Sequence, residues 1–256
     1  MPRFAANISL LFTELPLESR FEAAANAGFQ GVEILFPYET AAAELRTLAD
    51  AHGLEMVLIN APPPAETRTL TGFAAVPGAE ELFQDSLHRV LRYAGDLKPG
   101  LIHVMSGYCD GKAARETFVR NLQWAADLAP AQTFTIEPLN AQDQPGYFLN
   151  SYPLAMEVLG AVGRPNVGLQ YDAYHAQAIH GDALGVWHDH AQHAIHAQIG
   201  AYPDRSEPGR GPVDFQALFQ AIDDSGYAGW VSAEYNPSTA RTVDSLGWLR
   251  EFASGI

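Results

Sequence analysis

Thr133-Phe134-Thr135-Ile136-Glu137 reads as a short strand that ends on a carboxylate. Three later segments repeat the pattern: Val167-Gly168-Leu169-Gln170-Tyr171-Asp172, Ile195-His196-Ala197-Gln198 and Trp230-Val231-Ser232-Ala233-Glu234. Each ends on an oxygen-bearing side chain able to bind a metal, and each leads toward a helix-like stretch. Strand side chains alternate between faces. Phe134 and Ile136 therefore oppose Thr135 and Glu137, Leu169 and Tyr171 oppose Gln170 and Asp172, and Ala197 opposes His196 and Gln198. Val231 and Ala233 oppose Ser232 and Glu234. The apolar parity suits packing beneath helices, and the polar parity suits a barrel interior. A single polar strand end is ordinary; four in register predict one shared pocket at the carboxyl rim of a barrel.

The same alternation extends toward the N-terminus. Strands are predicted at 4–9, 32–36, 55–60 and 101–106, then at 133–137, 167–172, 194–199 and 229–234. Helices are predicted at 16–27, 40–52, 80–95, 112–128, 152–162, 183–190, 214–225 and 242–252. Pro16 suits a first helical turn and Gly28 a helix stop. The prolines after Ala61 end the third strand and open a loop to about Gly78. Eight βα units without a domain-sized linker predict an α/β fold, a (β/α)8 TIM barrel occupying residues 1–256 as a single domain. No GxGxxG follows the first strand, which removes the dinucleotide fingerprint.

Composition narrows the chemistry. The chain has 256 residues, 47% of them hydrophobic, and a formal net charge of −15. Lys98 and Lys112 are the only lysines, so a groove tracking phosphates is disfavoured and no nucleic-acid partner is expected. Cys109 is the only cysteine, which excludes an intrachain disulfide and fits a reducing compartment. No apolar run approaches membrane-spanning length. The expectation is a cytoplasmic protein, not membrane-bound, with apolar helix faces that could support a homo-oligomer.

Glu137, Asp172, Gln198 and Glu234 form an all-oxygen set suited to Mg²⁺ or Mn²⁺. A cation chelated by a carbonyl and its neighbouring hydroxyl eases removal of the intervening C–H proton. Glu137 and Glu234, three strands apart on the ring, are the natural acid–base pair. His175 follows Asp172 by three residues and is placed to meet a substrate oxygen or to serve structure. His103, Glu33 and Asn7 fall on inward parities. His188, His190, His193 and His196 lack the spacing of a zinc site, and the first three fit a solvated helix–strand junction. Arg205 and Arg210 supply cations in the loop after strand seven, for a small anionic substrate or as ordinary loop charges.

The motifs Phe4–Phe12, Gly28–Tyr38, Ile136–Asn140, Gln170–His175, Ser206–Gly211 and Gly229–Tyr235 resemble those of the hydroxypyruvate isomerase family, within the xylose-isomerase-like barrels. The resemblance spans nearly the whole chain. It implies an enzyme of aldose–ketose type interconverting hydroxypyruvate and tartronate semialdehyde, or a close short sugar acid, through an enediolate. It implies Glu137, Asp172, Gln198 and Glu234 at the metal, Glu137 and Glu234 in proton transfer, and His175 and Arg205 on substrate oxygens. A small hydroxy-carbonyl acid is the expected partner. Two departures bear on substrate recognition: Ile59 stands where the family often has histidine, and Ala201 where it has an acid. The loop after strand three is also short. A ketose 3-epimerase or a 2-oxo-tetronate-type isomerase is the nearest alternative. An apurinic endonuclease-like phosphodiesterase is disfavoured by charge and ligand set, and a barrel that only binds a sugar acid would not require a base on each side.

Overall fold

The computed structural model describes residues 2–63 and 71–253. The elements run β1 (Arg3–Asn7), α1 (Leu17–Asn26), β2 (Gly31–Ile34), α2 (Ala42–Ala51), β3 (Glu55–Asn60), α3 (Glu80–Leu97), β4 (Leu101–His103) and α4 (Gly111–Leu128). They continue with β5 (Thr133–Ile136), α5 (Tyr152–Val162), β6 (Val167–Asp172), α6 (Ala173–His180), α7 (Ala183–His190), β7 (Ala194–Ile199), α8 (Phe215–Asp224), β8 (Trp230–Ala233) and α9 (Gly247–Ala253). Every strand pairs in parallel with the next, and β1 closes on β8 through Arg3↔Trp230, Phe4↔Val231, Ala5↔Ser232 and Ala6↔Ala233. Closure leaves no edge strand. The predicted (β/α)8 barrel is the observed fold.

The two strand parities divide as expected. Outward residues such as Phe4, Ile102, Phe134, Leu169, Ala197 and Val231 join a core with Phe21, Leu45, Leu87, Phe118, Val158 and Leu218 of the surrounding helices. Each buried Val, Leu, Ile or Phe among them contributes roughly 1.5–3 kcal/mol. Inside the barrel, Ala5, Val57 and Trp230 pack at the lower end, where the Arg3 guanidinium lies 3.9 Å from the Trp230 ring centroid. Arg3 also pairs with Glu55 at 2.7 Å. Above this plug the interior turns polar, with Asn7, Glu33, Thr135, Gln170, His196 and Gln198 all buried.

Three expected elements differ. An additional helix, α6, follows β6 directly. Asp172 caps it by accepting from the Tyr174 N–H at 2.8 Å, and Gly181 ends it in the left-handed region at φ 73°. The helix expected at 242–252 is a 3-10 turn over Thr242–Ser245 followed by α9. β4 stops at His103 rather than 106, because the chain beyond pairs with the loop after β3. The Met105 and Ser106 carbonyls accept from Ala74 and Ala75 N–H at 3.3 and 2.8 Å. Residues 64–70 of the loop expected after β3 lie outside the described residues. Among those described, no helix is long and apolar enough to cross a membrane.

Candidate active site

Glu137 and Glu234 each sit one residue past a strand, after β5 and β8, while Asp172 and Gln198 lie on β6 and β7 in direct register. Glu137, Asp172 and Glu234 are 5% exposed or less. Glu137 and Glu234 line a cavity of about 180 Å³ together with His175, Arg205, His103 and Asn60, whereas Asp172 and Gln198 lie behind its lining. Pockets for drug-sized ligands run to about 300–1,000 Å³, so this one suits a short substrate.

The carboxyls crowd one another. Burial, then repulsion from Glu234 and Asp172, holds the Glu137 pKa well above its usual 4.5. Burial pushes Glu234 up to about 8 against the pull of Arg205, with Glu33 and Asp172 adding repulsion. Burial raises Asp172 as well, and Arg205 opposes it. The Arg205 Nη2 lies 3.1 Å from Asp172 Oδ2 and 3.4 Å from Glu234 Oε2, bridging the two. Burial works against the Arg205 charge, but Glu234, Asp172 and Glu137 outweigh it and raise its pKa. Its guanidinium carbon also lies 5.0 Å from the Tyr174 ring centroid.

The loop holding Arg205 is pinned at several points. Ala201 N–H donates to the Ser206 carbonyl at 2.8 Å and Asn236 N–H to the Arg205 carbonyl at 2.8 Å. Gly211 adopts φ 69°, and a Cβ there would collide with the Tyr202 carbonyl oxygen. Arg210 turns away to pair with Glu207 at 3.0 Å and does not line the cavity.

A polar floor orients these side chains. Asn7 Oδ1 accepts from Ser9 N–H at 3.0 Å, which turns its Nδ2 toward Glu33 Oε1 at 2.9 Å. Glu33 also receives Gln198 Nε2 at 2.8 Å and His196 Nε2 at 2.8 Å. Gln198 thereby presents Oε1 to Gln170 Nε2 at 2.7 Å, and that same nitrogen donates to Glu137 Oε2 at 3.0 Å. Thr135 Oγ1 completes the chain at 2.7 Å from Gln170 Oε1. Glu137 Oε1 is buried without a hydrogen-bond partner among the described residues.

One ligand atom each from Glu137, Asp172 and His175 fall within 4.8 Å of one another. Hydrogen bonding bears on which nitrogen of the His175 imidazole carries the proton. Its Nδ1 faces the Asn140 N–H at 3.1 Å and Asn140 Nδ2 at 2.9 Å. Asn140 Oδ1 already accepts from Gln142 and Asp143 N–H at 3.0 Å each, which fixes the amide's orientation. A neutral imidazole accepts at one nitrogen and donates at the other, so the proton sits on Nε2. Burial, then Arg205 and His103, pushes the His175 pKa well below 6.5.

Among the described residues, the oxygen set fits a divalent cation on two counts: Glu137 Oε1 lacks a hydrogen-bond partner, and three buried carboxyls face a single guanidinium. Hard oxygen donors suit Mg²⁺ or Mn²⁺.

Residues 21–252 match the family described as xylose isomerase-like TIM barrel. The chain belongs to that family. It is 44% identical over 259 residues to the 2-oxo-tetronate isomerase of Cupriavidus necator, covering 98% of this chain and 99% of the relative. It is 37% identical to the hydroxypyruvate isomerase of Escherichia coli, covering 97% and 98% of the two. A solved structure from Brucella melitensis, described as an AP endonuclease of family 2, superposes with TM-score 0.93 at 42% identity, covering 98% of this chain and 99% of that one. The D-psicose 3-epimerase of Clostridium cellulolyticum H10 shares the fold with TM-score 0.75 at 19% identity, covering 100% of this chain and 92% of that one.

The remaining sequence candidates separate. His188 and His193 are exposed, His190 stacks on Tyr152 at 5.5 Å, and His196 belongs to the floor. Three residues that shape the site were not singled out beforehand: Gln170, Asn140 and Asp143. Gln170 shares the parity of Asp172 two positions earlier, a signal the sequence carried. Asp143 accepts from Asn140 Nδ2 at 2.9 Å and from the Tyr174 hydroxyl at 2.8 Å, linking His175 to the face beneath Arg205 through a loop no periodicity marks.

Proposed function

We propose that this protein, a sugar-acid isomerase, interconverts a short 2-oxo acid carrying a hydroxyl on the next carbon with its isomer. Hydroxypyruvate and tartronate semialdehyde are the smallest such pair. The observation that carries the reading is Glu137 and Glu234 reaching one small cavity from two strands, both with raised pKa, beside donors on Arg205 and His175. Burial and mutual repulsion favour retention of a proton by the pair, which a relay between two carbons needs.

One carboxylate of the pair removes the proton from the hydroxyl-bearing carbon. The enediolate that results takes a proton from the other carboxyl at the former carbonyl carbon. The hydroxyl proton passes to the former carbonyl oxygen, so atoms balance, and the exchanged protonation states reset through the open rim. Arg205 Nε, buried and without a partner among the described residues, offers a donor to the substrate carboxylate. His175 Nε2–H offers a second to an adjacent oxygen. Glu137, Asp172, Gln198 and Glu234 would hold Mg²⁺ or Mn²⁺. Such a cation supplies Lewis-acid polarisation of the carbonyl and offsets the developing negative charge.

The same carboxyl pair could invert one carbon of a ketose, and an endonuclease reading follows from the description of the Brucella structure. The net charge of −15 argues against a phosphate-tracking surface. The deciding experiment is turnover of hydroxypyruvate and its four-carbon homologue by chelator-treated protein, with and without Mn²⁺ or Mg²⁺. Free ketoses and DNA carrying abasic sites serve as comparison substrates. Isomerisation of either acid is expected. Activity confined to a ketose or to DNA would sink the proposal.

A further inference from the structure

Glu33 is wholly buried on β2 and takes no part in the proton transfers above. Its hydrogen bonds have a fixed sense. Ser9 N–H occupies Asn7 Oδ1, so Asn7 meets Glu33 Oε1 with Nδ2, at 2.9 Å. Oε1 is therefore an acceptor, and Gln198, 2.8 Å from that same oxygen, can only present Nε2 to it. The other carboxyl oxygen, Oε2, is 2.8 Å from His196 Nε2. The two ends of an amide have nearly the same shape but opposite hydrogen-bonding character. Glu33 thus leaves Gln198 one orientation, with Oε1 toward Gln170.

That orientation propagates to Glu137. Gln198 Oε1 accepts from Gln170 Nε2 at 2.7 Å, and the second hydrogen on that nitrogen goes to Glu137 Oε2 at 3.0 Å. A reversed Gln198 would set its Nε2 against Gln170 Nε2. Relieving that conflict turns Gln170 over as well, which places a carbonyl oxygen against Glu137. Thr135 does not prevent this, because its hydroxyl can donate to or accept from Gln170. Glu137 itself guards against it for only half of a turnover. As a carboxylate it requires a donor from Gln170, but as a carboxylic acid it can donate to a reversed amide. Glu33 exchanges no proton with substrate, so it holds both amides in one polarity throughout. Glu137 Oε2 then stays an acceptor. The travelling proton belongs on Oε1, which has no hydrogen-bond partner among the described residues.

We propose that Glu33 is a positioning residue for the acid–base pair: acting through Gln198 and Gln170, it reserves Glu137 Oε1 for proton exchange with the substrate. This rests on the isomerase reading and deepens it. The bonds made and broken are unchanged, since the substrate proton moves to or from Oε1 while both Gln170 hydrogens stay on nitrogen. Arg205 and His175, the groups offered to the substrate acid, hydrogen-bond elsewhere, to Asp172 and Asn140. The role of Glu33 therefore belongs to the chemical step and not to binding.

Two measurements test this. Nitrogen-15 NMR of chelator-treated protein reads the amides without substrate, with Gln170→Leu and Gln198→Leu identifying their signals. In wild type the Nε2 hydrogens of both residues should exchange with water at least about tenfold more slowly than those of exposed glutamines, and Glu33→Leu should remove that protection. Steady-state kinetics at saturating Mn²⁺ read the role. Glu33→Leu should lower kcat on hydroxypyruvate or its four-carbon homologue by about tenfold or more, with KM within about threefold of wild type. Glu33→Gln should recover most of that kcat. Its oxygen still accepts from Gln198, and its Nε2 meets His196, whose Nδ1 lacks a partner among the described residues and can take the ring proton. Wild-type kcat in Glu33→Leu, a loss confined to KM, or a Glu33→Gln variant as impaired as Glu33→Leu would each overturn the role. Unprotected amide hydrogens in wild type would do the same. If Glu33→Leu does not fold, Glu33→Asp, which withdraws the same oxygens by one methylene, is read in its place. Turnover of neither acid by wild type would end the isomerase reading and this role with it. Wild-type turnover that Glu33→Leu leaves untouched would end this role alone.

Discussion

Gln170 Nε2 lies 3.0 Å from Glu137 Oε2, and this bond decides which oxygen of Glu137 faces the cavity. The same nitrogen reaches Gln198 Oε1 at 2.7 Å. One amide thus spaces a candidate base against a candidate metal ligand. Replacing Gln170 with Leu removes both bonds and strands Thr135 Oγ1. The expected result is a loss of about 1–3 kcal/mol of stability and a fall in kcat of about tenfold or more as Glu137 loses its orientation. Thermal melts and steady-state kinetics check this; a variant matching wild type in both would remove Gln170 from the site's support.

Glu137→Gln and Glu234→Gln keep shape and remove the base. Each should lower kcat by about 10²–10⁴-fold, the usual span of general acid–base catalysis. Because the two carboxyls act on different carbons, one variant should still exchange substrate C–H with solvent deuterium while failing to isomerise. Isomerisation at near wild-type rate in either variant would reassign the proton transfer.

Glu234 makes the metal-free protein sensitive to pH. Its carboxyl titrates at about 8 in the fold against 4.5 ordinarily. The folded state therefore binds this proton more tightly than the unfolded chain. Its contribution to stability is full below pH 4.5 and lost as pH rises through about 8. Glu137 and Asp172 are shifted in the same direction. The melting temperature of chelator-treated protein should fall across that range, less steeply in Glu234→Gln. Mn²⁺ or Mg²⁺ bound at the carboxyls should restore it at high pH, by about 2.7 kcal/mol at a hundredfold excess over Kd. A flat profile, or no response to either cation, would contradict the crowding described.

Arg205 is the cation shared by Asp172 and Glu234. Arg205→Met leaves the buried carboxyls uncompensated and removes a donor for the substrate acid. KM should rise by about tenfold or more, as for loss of a charged hydrogen bond. Arg205→Lys should recover part of it, because a single ammonium lacks the planar fork. Gly211→Ala, which clashes with the Tyr202 carbonyl in the same loop, should shift KM in the same direction. Unchanged KM in Arg205→Met would show that the acid is held elsewhere.

The barrel was legible because strand alternation is a local property with a strong period. Each strand of the second half carried its apolar face on one parity, and packing preserved it. α6 was harder to read. Asp172 is both the last residue of β6 and the cap of the helix, so a strand-end reading absorbed the capping signal that Asp172 and Gly181 carry. The end of β4 was not written locally either, since the loop after β3 captures the Met105 and Ser106 carbonyls. Within the site, side chains on strands could be placed by parity, as Glu33, His103 and Gln198 were. The partners from loops could not: Asn140 and Asp143 meet His175 and Tyr174 only because the chain after β5 folds back over the rim.

The plug of Ala5, Val57 and Trp230 under Arg3 closes the lower end of the barrel. Traffic through the molecule is therefore two-way along one passage. An acid leaving after isomerisation must clear the doorway that the next one needs. The same holds when the equilibrium is approached from the opposite isomer. Product left to accumulate should therefore compete with incoming substrate for that one passage and the seat beyond it.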